Sequence, residues 1–156
     1  MNGALKHHKL HRIWMLLDNA VKERTPYSLM KLATVPTVST KNFRTVLLHG
    51  FDKEHGVISF VTSLLSPKNG AINNNAHVSM TAIDDTNCSG IVLSGITYPY
   101  HDPEPLPLAP LGYFCVINVK ITKVEWLEFN SEPQKIEAYM KVANEWISSN
   151  TAQSLM

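Results

Sequence analysis

The sequence predicts a mainly β fold of the α+β class: six antiparallel strands forming a small closed barrel, with flanking helices. Six segments show period-2 alternation or short apolar runs. Most are joined by short polar turns, which suits antiparallel neighbours better than parallel crossovers. Helical spacing of apolar residues appears near both termini rather than between successive strands, so a doubly wound sheet is not expected.

Residues 1–6 read as loose. From about His8, the residues Leu10, Ile13, Trp14, Leu17, Ala20 and Val21 recur at three- and four-residue spacing and make one apolar helical stripe. The helix should end near Glu23, because Pro26 disfavours helical geometry at Thr25. His7, His8 and His11 have no nearby carboxylate or cysteine to complete a metal set and read as a solvated helix start.

Ser28–Val35 is the first strand; the second is the apolar run Val46–Leu48, opened by Arg44 and followed by Gly50 and Phe51; Asp52–Gly56 is a polar turn, and Val57–Val61 is the third strand. Ser66 to about Asn75 reads as a short inserted helix, with Ser66 as N-cap and Pro67 at the first helical position. His77–Ile83 and Gly90–Ile96 are the fourth and fifth strands, joined by the turn Asp84–Asn87. Tyr98–Leu111 carries five prolines and can be neither helix nor central strand; it reads as a stiff crossover loop, or as a ligand for proline-motif readers. Tyr113–Phe129 is the longest strand pattern, with a phase change around Lys123 that signals a bulge or bend. Ser131, Pro133 and Gln134 suggest a capped final helix whose apolar face is Ile136, Tyr139, Met140, Ala143, Trp146 and Ile147.

A length of 156 residues makes a single domain, 1–156, the expectation, and an apolar fraction of 44% is enough for a core. Fourteen Lys and Arg against 13 Asp and Glu leave no field for nucleic acid or an anionic membrane. Cys88 and Cys115 lack CxxC partners and read as thiols in a reducing compartment. No apolar run reaches membrane-spanning length, and Ile13–Leu17 is too short for a signal-peptide core, so the cytoplasm is the expected location. No Ser-His-Asp order, zinc spacing or Gly-rich phosphate loop supports a hydrolase or metalloenzyme.

The stretch Phe43–Lys68 carries the candidate chemistry. It places Arg44 at a strand end, Thr62 and Ser63 at the next, and Ser66 and Lys68 at a helix start, which are parts suited to holding a phosphate. Arg44 has a plainer reading, as a strand-end cation paired with Asp52 or Glu54. His49 can move a proton near neutrality, or serve simply as a strand histidine. His55, His77 and His101 read as turn or surface residues.

An ordered set of segments resembles the pyridoxamine 5′-phosphate oxidase-like FMN-binding split-barrel superfamily. These are Leu32–Val35, Arg44–Asp52, Phe60–Ser63, Ser66–Lys68, His77–Met80, Gly90–Gly95 and Asn118–Phe129. The resemblance implies a split β-barrel, an FMN cofactor and a homodimer with flavin at the subunit interface. It implies that Arg44, Thr62, Ser66 and Lys68 anchor the phosphate and that Val61 lines that side. Thr45, Val46, Leu47 and Leu48 would pass the flavin ring by their backbone groups, and Phe114 matches a cofactor-contacting aromatic. The departures are specific: His49 replaces a lysine, Pro67 an arginine and Gly90 a glutamine, and the terminal arginine and histidine substrate motif is missing. They argue against the true pyridoxamine-phosphate oxidase reaction. The implied activity is an FMN-dependent oxidoreductase acting on an unassigned small molecule. The alternatives are a non-catalytic flavin, haem or deazaflavin binder, or a barrel dimer without its cofactor.

Overall fold

The computed structural model describes residues 8–34, 44–63, 77–98, 114–130 and 133–148, with the backbone alone at 62–63 and 114–115. One helix and eight strands are present among them: α1 (His8–Lys22), β1 (Leu29–Thr34), β2 (Arg44–Asp52), β3 (Val57–Ser63), β4 (His77–Asp84), β5 (Ser89–Tyr98), β6 (Phe114–Glu128), β7 (Lys135–Val142) and β8 (Glu145–Ser148). The expected inserted helix with Ser66, Pro67 and Lys68, and the proline-rich loop beyond Tyr98, lie outside the described residues.

The sheet runs β3-β2-β1-β4-β5-β6-β7-β8, and a β3–β6 pairing closes its first six strands into an antiparallel barrel. Alternation decides which side chains fill it. Met30, Leu32, Val46, Leu48, Ile58, Phe60, Val78, Met80, Ile91, Leu93, Val119 and Ile121 are each at most 4% exposed and belong to one core.

β6 is the strand at which the barrel splits. One edge of it pairs with β3 over Phe114–Lys120 and then with β7 over Lys123–Glu128. The changeover falls at Thr122, which is the extra residue opposite the Ser94/Gly95 step of β5. Its hydroxyl donates to the Ser94 carbonyl at 3.2 Å. The phase change expected around Lys123 is this bulge.

Helix α1 plugs one barrel mouth with Leu10, Ile13, Trp14, Leu17 and Ala20, all of them core residues. The Trp14 indole sits between Phe51 of β2, with ring centroids 5.4 Å apart, and Trp146 of β8, at 5.3 Å. Ser28 fastens the helix end to the barrel. Its hydroxyl is shared between the Ala20 and Glu23 carbonyls at 2.8 and 3.0 Å, while its own carbonyl accepts the Leu48 amide at 2.9 Å. No described helix is long and apolar enough to cross a membrane.

The expected C-terminal helix is instead the hairpin β7–β8, so only the N-terminal one of the flanking helices is found among the described residues. The segment satisfies both periods. Ile136, Tyr139, Met140, Ala143, Trp146 and Ile147 fit a helical stripe, but Tyr139, Lys141 and Trp146 also fit a strand pair, with Lys141 opposite Trp146. The free edge of β6 beyond its bulge decides between them, because β7 satisfies its backbone groups. Ala143 and Asn144 turn the chain with φ of 51° and 67°, as a two-residue type I′ hairpin turn needs. Ala143→Gly should therefore stabilise the protein by about 0.5–1 kcal/mol, because alanine is strained at positive φ. In a helix the same change would destabilise by about 1 kcal/mol. A urea midpoint gives the sign.

Tyr139 on β7 is 3% exposed and donates to Glu137 Oε2 at 3.3 Å. Burial first, and then the Glu137 carboxylate, push its phenol up to about 12 from an ordinary 10.0. The folded state thus holds a proton that the unfolded chain releases near pH 10. This contribution is complete below pH 10 and is lost as the pH rises toward 12. Tyr139→Phe should flatten the fall in stability over that window, read as midpoint against pH.

Candidate functional site

The start of β2 opens on a cleft of about 520 Å³, lined by Lys31 and Ala33 of β1, Arg44 and Thr45 of β2, and Ser79 and Thr81 of β4. That volume is in the ordinary range of small-molecule sites, roughly 300–1,000 Å³. Strand register builds it. Thr45, Lys31 and Thr81 stand side by side on three neighbouring strands, and Ala33 with Ser79 forms the next row. All of these alternate with core residues and so face outward. Arg44 has the opposite phase: it pairs with Leu32 and sits half-buried at the rim of the mouth that α1 does not plug.

The lining holds two cations and three hydroxyls and no carboxylate among the described residues. Such a donor set fits an oxyanion and suits a phosphate ester. Asp52 is too far away to pair with Arg44. Asp52 ends the same strand eight residues on, about 26 Å away at the rise of a β-strand. Asp52 instead locks the β2–β3 turn, its Oδ2 lying 2.8 Å from His55 Nδ1 and its Oδ1 accepting the His55 amide at 3.2 Å. These bonds hold its carboxyl below the usual range. Asp52, Glu54 and His55 bring ligand-type atoms within 4.8 Å of one another, but all three are exposed and the pair is satisfied within its turn.

The residues read from the sequence separate into groups. Arg44 and Thr45 meet in the cleft. Leu47 is exposed on the same outer face, directly opposite Val61 of β3. Val46 and Leu48 send their side chains into the core, 1% and 4% exposed, and the Leu48 amide is given to the Ser28 carbonyl. His49 is the extra residue of a bulge between Leu48 and Gly50, with an exposed side chain. Thr62 pairs with Cys115 and Ser63 with Phe114 through the backbone; the side chains of Thr62 and Phe114, like Ser66 and Lys68 altogether, lie outside the described residues. His55 and His77 are exposed, as expected, whereas His101 is not described.

Lys31, Ser79 and Thr81 belong to the cleft and were not singled out in the sequence. The alternation of Leu29–Thr34 does turn Lys31 outward. Their meeting depends on β1 lying between β2 and β4, an order that no local pattern states.

At Gly90, a Cβ would stand 2.8 Å from Ile83 Cδ1 and 3.2 Å from the Ala82 carbonyl. The site has no room for a longer side chain unless Ile83 moves. That is a packing reason for glycine where the resembling proteins carry glutamine.

No protein-family model matches the chain, and no curated protein matches it. Solved structures do. A pyridoxamine 5′-phosphate oxidase-related, FMN-binding protein from Nostoc punctiforme is 17% identical, over 88% of this chain and 94% of that one, with a TM-score of 0.63. PhzG from Burkholderia lata, solved with tetrahydrophenazine-1-carboxylic acid, is 16% identical over 92% and 91%, with a TM-score of 0.62. The fold is that of the pyridoxamine 5′-phosphate oxidase-related split barrels. The general stress FMN/FAD binding protein from Xanthomonas citri has it as well, at 14% identity, 77% and 88% coverage and a TM-score of 0.55. At these identities the likeness is one of fold, and what each neighbour binds belongs to that neighbour.

Proposed function

We propose that this chain is an FMN-binding split barrel with oxidoreductase chemistry on a small-molecule substrate, distinct from the pyridoxamine-phosphate oxidase reaction. The observation that carries the reading is the cleft at the start of β2, which has no carboxylate among the described residues and where Arg44 meets hydroxyls on a fold whose solved neighbours include FMN-binding proteins. Arg44 is assigned to the phosphate, together with Thr62, Ser66 and Lys68. Thr45 through Leu48 are assigned to the ring, which the exposed Thr45 and Leu47 side chains on the outer face suit. Bound flavin supplies hydride-accepting chemistry, and the chain's part is to bind, orient and shield it.

A cytosolic homodimer, with flavin between subunits, is part of the proposal. It is supported by apolar surface beside the cleft: Leu29 and Leu47 are paired across β1 and β2 and are 45% and 38% exposed, with Ile83 at 40%.

The visible spectrum of the purified protein, alone and after adding FMN, tests the reading, and bleaching by reduced nicotinamide tests turnover. Oxidised-flavin bands that stay with the protein through gel filtration are the expected result. Replacing two phosphate cations at once, Arg44→Ala with Lys68→Ala, should weaken FMN binding by at least about a hundredfold, since each charge-assisted contact contributes roughly 1.5–3 kcal/mol. Retention unchanged in the double variant contradicts the phosphate assignment.

A further inference from the structure

We propose that Lys31 is the centre of an oxyanion subsite on the β1–β4 side of the cleft, separate from the contacts expected on the β3 side. The inference rests on the ligand-binding reading of the cleft and adds to it a ligand group, a phosphate or carboxylate, and the residues that take it.

Geometry carries it. Lys31 is directly opposite Thr45 on β2 and Thr81 on β4, so three adjacent strands deliver an ammonium between two hydroxyls. Directly opposed Cα atoms on antiparallel strands are about 4.5–5.5 Å apart, so the three groups can close on one anion. Ser79 stands one outward position further along β4 and adds a third hydroxyl, while Ala33 between them keeps the floor low. Arg44 borders the same cavity from the rim.

Lys31 is exposed and makes no ion pair with any described residue. Lys9 and Lys22, by contrast, are paired with Glu128 and Asp18. A cation flanked by hydroxyls, on a concave surface with no carboxylate among its described residues, suits an anionic ligand. The side matters too. β2 lies between β1 and β3, so Lys31 approaches from the opposite flank to Val61 and Thr62. Lys31 brings positive charge to that flank of the cleft.

Two sources can supply the anion: the phosphate of FMN, or an anionic second reactant. The test is calorimetric titration of the full chain with inorganic phosphate, FMN and riboflavin, for wild type, Lys31→Ala, Lys31→Arg and Thr81→Val. Lys31→Ala should weaken inorganic phosphate about tenfold, Thr81→Val less, and Lys31→Arg little. If FMN loses the same factor and riboflavin does not, the anion is the flavin's phosphate. If FMN is unaffected while phosphate binding falls, the subsite serves a second reactant. Wild type that binds phosphate but neither flavin keeps the subsite and removes the flavin reading. Wild type without affinity for phosphate, or Lys31→Ala binding phosphate and FMN as wild type does, overturns the proposal, and FMN binding in that case leaves the flavin reading standing.

Discussion

Trp14→Ala is expected to destabilise the protein by about 3–5 kcal/mol, much of the total stability of a typical domain. The indole is 9% exposed and touches three separate parts of the fold: its own helix, Phe51 near the end of β2, and Trp146 on the hairpin. Truncation removes the transfer energy of a large ring and leaves a cavity between elements that relax poorly toward one another. The same change separates α1 from the hairpin, so the near-ultraviolet circular dichroism of the tryptophans should fall before the far-ultraviolet signal. Met15→Ala on the same helix is the control: Met15 is 56% exposed, and a change within about 0.5 kcal/mol is expected. Chemical denaturation of the three proteins decides it.

Gly95→Ala should cost about 2–3 kcal/mol, although it adds one methyl group. Gly95 sits where β5 meets the β6 bulge, and a Cβ there would press on the Lys120 carbonyl oxygen, with Val119 Cγ1 at 2.7 Å and the Lys120 carbonyl carbon at 3.0 Å. Most of these atoms are backbone, so no rotamer change relieves the clash. The strands must separate where the barrel hands β6 from β3 to β7. Gly50→Ala gives the contrast, because the nearest atom to its added Cβ is Ser59 Oγ at 3.9 Å and its cost should stay within about 0.5 kcal/mol. A similar loss at both glycines would mean that the close approach at the bulge does not govern stability.

The barrel was legible because each of its six strands carries its own signal. Alternation in Leu29–Thr34 and His77–Asp84, and the phase slip in β6, fix which residues face inward without knowledge of partners. The C-terminal segment misled for a physical reason. Its apolar residues satisfy a 3.6 and a 2.0 period together, and the deciding influence is the open edge of β6, a tertiary feature. Arg44 and Thr45 were readable as site residues from their place at a strand start. Lys31, Ser79 and Thr81 were not, because their meeting needs β1 to be threaded between β2 and β4. Strand length alone keeps Asp52 from Arg44, since an extended strand of nine residues holds its two ends far apart.

The most direct test of the proposed function is where FMN acts on the chain. Backbone amide shifts of isotope-labelled protein, followed during titration with FMN, report that position residue by residue. The account predicts the largest shifts at Arg44 to Leu48, with Lys31, Ser79 and Thr81 moving in the same titration. Shifts gathered at the mouth plugged by α1, around Tyr27, Ser89 and Trp126, or no shifts at all at saturating FMN, would contradict it.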